Sequence, residues 1–147
     1  MRKLKICFFV SVIFLTIGAA SILFMPIARD SSSATYKIPL LINGLVFWIS
    51  FIIGYLLVFL SSAMRNKIIR IKGKPGIACF CSNIYATIFD FLLIISFISL
   101  VILLIFHQTE SYITFVVLFL LVLSINMHAM FNGKTFKTIL NKNEERK

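Results

Sequence analysis

Residues 84–131 read IYATIFDFLLIISFISLVILLIF, then HQTES, then YITFVVLFLLVLSINMHAMF. Each apolar run is about 20 residues, enough to cross ~30 Å of hydrocarbon as a helix. A link as short as 107–111 makes the two helices antiparallel neighbours. Working outward, two more runs meet the same length requirement, at 6–27 and 39–63. The first is followed by the polar run Asp30-Ser31-Ser32-Ser33. The second opens with Pro39 in its first turn, where a missing N–H costs nothing. A basic loop, 64–76, ends in Lys74-Pro75-Gly76, a strong stop signal. The sequence therefore predicts an all-α, four-helix transmembrane bundle, one polytopic membrane domain over 1–147. Its helices are 6–27, 39–63, 84–106 and 112–131, and its tail is 132–147, entered through an Asn132-Gly133 cap whose residue types tolerate the left-handed conformation.

Composition points the same way. Of 147 residues, 60% are hydrophobic and 14% charged, and mean hydropathy is +1.01. Soluble domains carry about 45–50% apolar and about 25% charged residues, and a globule this small has too little interior to hide the excess. Most soluble enzymes, disordered tails and disulfide scaffolds are excluded. The net charge of +10 would suggest nucleic acid in a soluble protein. Here the basic residues lie between apolar segments, so orientation and anionic lipid explain them, and no nucleic-acid partner is expected. Ile occurs 24 times and Ala 8 times, a bias that suits an AT-rich bacterial genome.

Counting basic residues sets the orientation. Thirteen fall in the N-terminus, the 64–76 loop and the tail, and two, Arg29 and Lys37, between the first two helices. Both termini and the basic loop are thus expected to be cytoplasmic, in a bacterial plasma membrane. Arg65, Lys67, Arg70, Lys72 and Lys74 are the expected contacts with an anionic inner leaflet. Tyr36 and Tyr112 fall at the outer interface and Tyr85 at the inner one, whereas Trp48 lies deep in the second helix, which suits packing. Arg2-Lys3-Leu4-Lys5, an apolar run and Gly18-Ala19-Ala20 also read as a cleavable signal peptide. The continuing run Ser21-Ile22-Leu23-Phe24-Met25 argues against cleavage. In the tail, Phe136, Ile139 and Leu140 share one side. That pattern suits either a short helix on the inner membrane surface or a frayed, solvated tail.

Asp90 is the one acid within a span, where an ionisable group faces the bundle and has a partner or a job. It shares a helix face with Asn83 and Thr87, and Ser124, His128 and Asn132 share one on the fourth helix. Folding the hairpin about Thr109 brings Asp90 level with His128, Ser124 near Ile94 and Asn132 near Ala86. The Asp90–His128 pair, supported by Asn83, Thr87, Ser124 and Asn132, reads as a polar seam near the cytoplasmic side. Structural glue and a proton or ion site are both open to it.

On the second helix, Asn43, Ser50, Gly54 and Ser61 form another stripe. Ser50-x-x-x-Gly54 is a small-xxx-small pattern that lets helices approach closely. Internal packing is favoured over a homodimer seam, and Ser11 and Gly18 of the first helix are plausible mates. Cys7, Cys79, Cys81 and His128 sit at similar heights, and such residues bind Zn or Cu(I). A second ligand pair at regular spacing is lacking, so neither metal nor cofactor is expected.

No HExxH, GxSxG or P-loop occurs, so no catalytic residue is assigned. Size and span number resemble the small multidrug resistance transporters. That family's essential glutamate lies in its first helix, which has no acid here, and no functional residue carries over. By elimination the chain reads as a small non-enzymatic multi-pass membrane protein, an accessory, assembly or immunity-type partner of another membrane protein. The competing reading is a small oligomeric transporter or channel using Asp90.

The topology is checked by cysteine-accessibility labelling in intact cells. A Lys72→Cys variant should resist an impermeant outside reagent, and a cysteine at Thr109 should react; strong outside labelling at position 72 would sink the orientation.

Overall fold

The computed structural model describes residues 1–25, 37–69, 80–106 and 112–144. The elements are α1 (Arg2–Ala20, continued by a 3-10 turn over Ser21–Phe24), α2 (Lys37–Ile69), α3 (Ile84–Ile105), α4 (Tyr112–Phe131) and α5 (Lys134–Glu144). Four of these are long and apolar enough to cross a membrane, spanning Arg2–Phe24, Leu41–Ile68, Ile84–Ile105 and Tyr112–Phe131. The described residues are all-α.

Helix limits differ from the hydropathy limits at the basic ends. α1 already begins at Arg2, because Arg, Lys and Leu are good helix formers and long charged side chains reach water from a helical backbone. By the same helix propensity α2 runs through Arg65 and Lys67 to Ile69, so the stretch expected as loop from residue 64 starts as helix. Hydropathy marks where the membrane ends, and a helix ends only where a breaker intervenes. Tyr36, Arg70, Lys72, Lys74, Cys79 and the 107–111 linker lie outside the described residues.

α1 is the hub. It packs against α2 on one side and α4 on the other, and α3 packs chiefly on α4. The α1–α2 contact is built from small residues. Ser11, Gly18, Ser50, Gly54 and Ser61 are all buried. A Cβ added to Gly54 would lie 2.8 Å from Leu15 Cδ2, and one added to Gly18 would lie 2.5 Å from Phe51 Cδ2. The Ser50-x-x-x-Gly54 face is therefore spent inside the protomer, where Ser11 and Gly18 are indeed its mates. It is not free to serve as a homodimer seam. Asn43 lies towards the other end of α2 and is half-buried. Trp48, expected to pack inward, is 65% exposed: two residues before Ser50, it projects about 200° away from the buried stripe.

Over Lys134–Glu144 the tail is helical. α5 turns its apolar face into the bundle, with Phe136 and Ile139 buried. The Phe136 ring stacks on Phe8 of α1 at 5.5 Å and meets Phe131 of α4 edge-on at 4.7 Å. Phe131 in turn stacks on Phe89 of α3 at 5.4 Å. One aromatic cluster thus joins α1, α3, α4 and α5 at the end of the bundle where α1 begins.

The Asn132-Gly133 corner does not use the left-handed conformation expected of it, since no described glycine has positive φ. Space at Gly133 is tight instead: a Cβ there would lie 3.1 Å from the carbonyl oxygens of Ala129 and Met130, which would have to give by a few tenths of an ångström.

Gly54→Leu should wedge α1 from α2 and cost about 1–3 kcal/mol, the usual penalty for overpacking a close contact. Thermal or denaturant unfolding in detergent measures it, and unchanged stability would show that the contact can open at no cost.

Candidate functional site

The site forms where α3 begins and α4 ends. Asn83 starts α3 as its N-cap, with its Oδ1 accepting from Ala86 N–H at 3.0 Å. Its amide also donates to the Phe131 carbonyl at 2.7 Å, stitching the start of α3 to the last turn of α4. These two bonds satisfy groups that helix ends otherwise leave without partners.

Two turns into α3, Asp90 is 1% exposed. Its carboxylate is nevertheless well supplied. Oδ1 lies 2.5 Å from His128 Nδ1 and accepts from Asn132 Nδ2 at 3.0 Å. Oδ2 accepts from the backbone N–H of Cys81 at 2.6 Å. With the acid ionised, His128 Nδ1–H is the donor, which fixes the imidazole tautomer. A carboxylate buried without such donors would cost several kcal/mol.

The acid also folds the chain that precedes α3. Cys81 has φ 52°, an uncommon value for a residue with a side chain. Its N–H is held by Asp90, and the next one, Ser82 N–H, donates to Asn132 Oδ1 at 3.2 Å. Phe80, the residue before, lays its ring 4.6 Å from the imidazole of His128. Asp90 and Asn132 thus pin the 80–83 turn across the end of α4, and the same Asn132 sits at the corner into α5.

The expected seam is partly assembled. Asp90, His128, Asn132 and Asn83 come together. Thr87 and Ser124 do not join them: Thr87 Oγ1 donates to Asn83 O at 3.0 Å and Ser124 Oγ to Leu120 O at 2.5 Å. A hydroxyl on a helix has a carbonyl of its own preceding turn within reach, and that local bond outcompetes a cross-helix one. Arg65, expected as a surface contact for lipid, is only 6% exposed, while Lys67 is exposed.

Two features had no counterpart in the sequence reading. The Cys81 backbone donor carries no residue signal. Tyr55 and Asn126, on α2 and α4, form a second polar link: Tyr55 OH donates to Asn126 Oδ1 at 2.6 Å. Asn126 is a polar residue five places before the end of a span, and that oddity was the available clue. Its Nδ2 is the one buried side-chain polar atom without a partner among the described residues.

Chemically, the arrangement holds a carboxylate still. Among the described residues no group of three His, Cys, Asp or Glu side chains converges as metal ligands. Cys7 directs its Sγ to Leu57 O of α2 at 3.4 Å, whereas Cys81 is exposed beside α3.

Asp90→Asn keeps the shape but offers one acceptor oxygen in place of two, so of the bonds from Cys81 N–H and Asn132 one becomes neutral and the other is lost, at a cost of about 1–2 kcal/mol. Asp90→Leu leaves the Cys81, His128 and Asn132 donors without an acceptor and should cost at least about 3 kcal/mol on the same scale, roughly the sum of three lost buried bonds. Unfolding midpoints of the two variants in detergent check the order, and equal losses would contradict the donor geometry. No known family model matches this chain, and neither do any of the curated proteins or solved structures.

Proposed function

We propose that this protein is a non-enzymatic, multi-pass membrane protein that acts through its helix surfaces, as an accessory, assembly or immunity-type partner of another membrane component. The bundle sits in a bacterial plasma membrane with both termini cytoplasmic. The observation that carries this reading is the state of Asp90. Its carboxylate is buried and occupied by donors from α4 and from the preceding turn. A group used in this way stabilises one arrangement, whereas an ion site needs oxygens left free for the ion.

The second support is what the bundle leaves uncovered. α3 buries one narrow stripe on α4, and Ile88, Phe91, Ile95 and Ile98 on its other side are all more than half exposed. Such a face meets lipid or the helices of another membrane protein, and in lipid, helix association rests on packing rather than on the hydrophobic effect.

The rival reading, a small oligomeric transporter or channel using Asp90, draws on one detail. The His128 side chain retains 18% exposure, which gives the pair an edge to the outside.

Photo-crosslinkers placed in cells at Ile88 and Ile95 separate the two. The accessory reading expects a discrete hetero-crosslink at these positions that persists in the Asp90→Asn variant. Self-crosslinks alone, together with proton or ion flux in proteoliposomes that Asp90→Asn abolishes, would overturn it in favour of transport.

A further inference from the structure

α3 is the least covered of the four spans. Of its apolar stretch 11% is buried, against 44% for α1, because α3 packs chiefly on α4. On its uncovered side the residues follow a rule. Starting at Ile84 and stepping alternately by four and three reaches seven positions, the last being Ile105. Six are isoleucine and one is Phe91, and all seven are between 48% and 74% exposed. The helix has one further isoleucine, Ile94, and its five leucines all lie off this line. A repeat of about 3.5 residues is the signature of a second helix laid alongside at roughly 20°. Lipid tails impose no such period and have no reason to sort isoleucine from leucine. A packed helix does: the helical backbone holds isoleucine to nearly one χ1 rotamer, so it loses little freedom when it is docked.

The line carries only large side chains. Where α1 meets α2 a large residue faces a small one, Leu15 on Gly54 and Phe51 on Gly18. Helices in lipid approach closely by this means, since packing is what holds them. α3 supplies the large half of such a contact and has no small half to add, for Ala86 and Ser96 are buried away from the line. A second copy of the chain cannot complete it. Its Ser11, Gly18, Ser50, Gly54 and Ser61 are buried, shut inside the α1–α2 contact. Gly44, the described glycine with open space around it, is followed one turn later by Trp48. Two such lines facing each other would set large against large, with Phe91 over Phe91 in a parallel pair. The seven side chains offer up to about 700 Å² of surface, close to the ~800 Å² that one partner brings to a standard specific interface.

We infer that this line on α3 seats one transmembrane helix of a different membrane protein, and that the seated helix carries small residues, Gly, Ala or Ser, along a stripe of the same period. The large side chains of α3 enter the gaps that the small residues leave, along the full length of the span, as Leu15 does at Gly54. The inference rests on the accessory reading and deepens it, by naming the kind of helix the partner presents.

The test uses the full chain in phosphatidylcholine vesicles, with an energy-transfer donor at its C-terminus. The probes are two leucine-based transmembrane peptides of equal composition. One carries glycine and alanine at alternate spacings of four and three; the other has the same residues scattered around the helix. The first should bind about tenfold more tightly than the second. An Ile95→Ala/Ile98→Ala double variant should lose most of that selectivity. Ile95→Val should keep most of it, and Leu104→Ala, exposed but off the line, should leave it unchanged. Equal binding of the two peptides, or selectivity untouched by the double variant, would overturn the inference. So would energy transfer between donor- and acceptor-labelled copies of the chain as strong as that to the first peptide, which would make a second copy the occupant. Hetero-crosslinks at Ile88 and Ile95 in cells without peptide selectivity would strike the stripe and leave the accessory reading standing. Selective binding together with Asp90-dependent ion flux would strike the accessory reading and leave the stripe.

Discussion

A carboxylate buried near the end of a membrane span must be given hydrogen-bond donors, and the rest of this structure is arranged around meeting that demand. Asp90 draws its donors from two directions: His128 and Asn132 on α4, and the backbone of Cys81 ahead of α3. One side chain thereby sets the register of the α3–α4 hairpin and the path of the turn that enters it. Through Asn132 it also steers the corner where α4 gives way to α5. Lipid offers no competing donors, so these bonds have no solvent alternative.

Elsewhere the bundle avoids the same difficulty by keeping polar groups local. Ser11, Ser21, Ser61, Ser96 and Ser124 each return a hydroxyl to a carbonyl three or four residues earlier. Freed of cross-helix duties, Ser11 and Ser61 act as small residues and permit the close α1–α2 approach centred on Gly18 and Gly54. At the α5 end the opposite means are used, with large rings from four helices meeting edge-on or stacked.

The four apolar runs were legible because membrane thickness imposes one length on all of them. The Asp90–His128 contact was legible because a short hairpin has one free parameter, its turning point, and Thr109 supplied it. Thr87 and Ser124 were misread for a definite reason: sharing a helix face with an acid does not stop a hydroxyl from bonding its own backbone. The tail was ambiguous because amphipathic spacing identifies an apolar face without naming what covers it, and the cover proved to be Phe8 and Phe131. Cys81 was out of reach, since its contribution is a main-chain N–H whose placement depends on the fold. Arg65 looked like any other basic residue beyond a span until α2 carried it back into the bundle.

The order of packing has a bearing on biogenesis. α1 pairs with α2 and α3 pairs with α4, so each hairpin consists of consecutive segments as they leave the ribosome. The second hairpin carries within itself every described partner of Asp90, and it can neutralise that burden on its own as it enters the bilayer. Asn126 is different, for its described partner, Tyr55, is on the first hairpin. Until the two halves dock, Asn126 Oδ1 lacks the Tyr55 hydroxyl, so the half-assembled chain carries one more unmet polar group within a span than the finished one does.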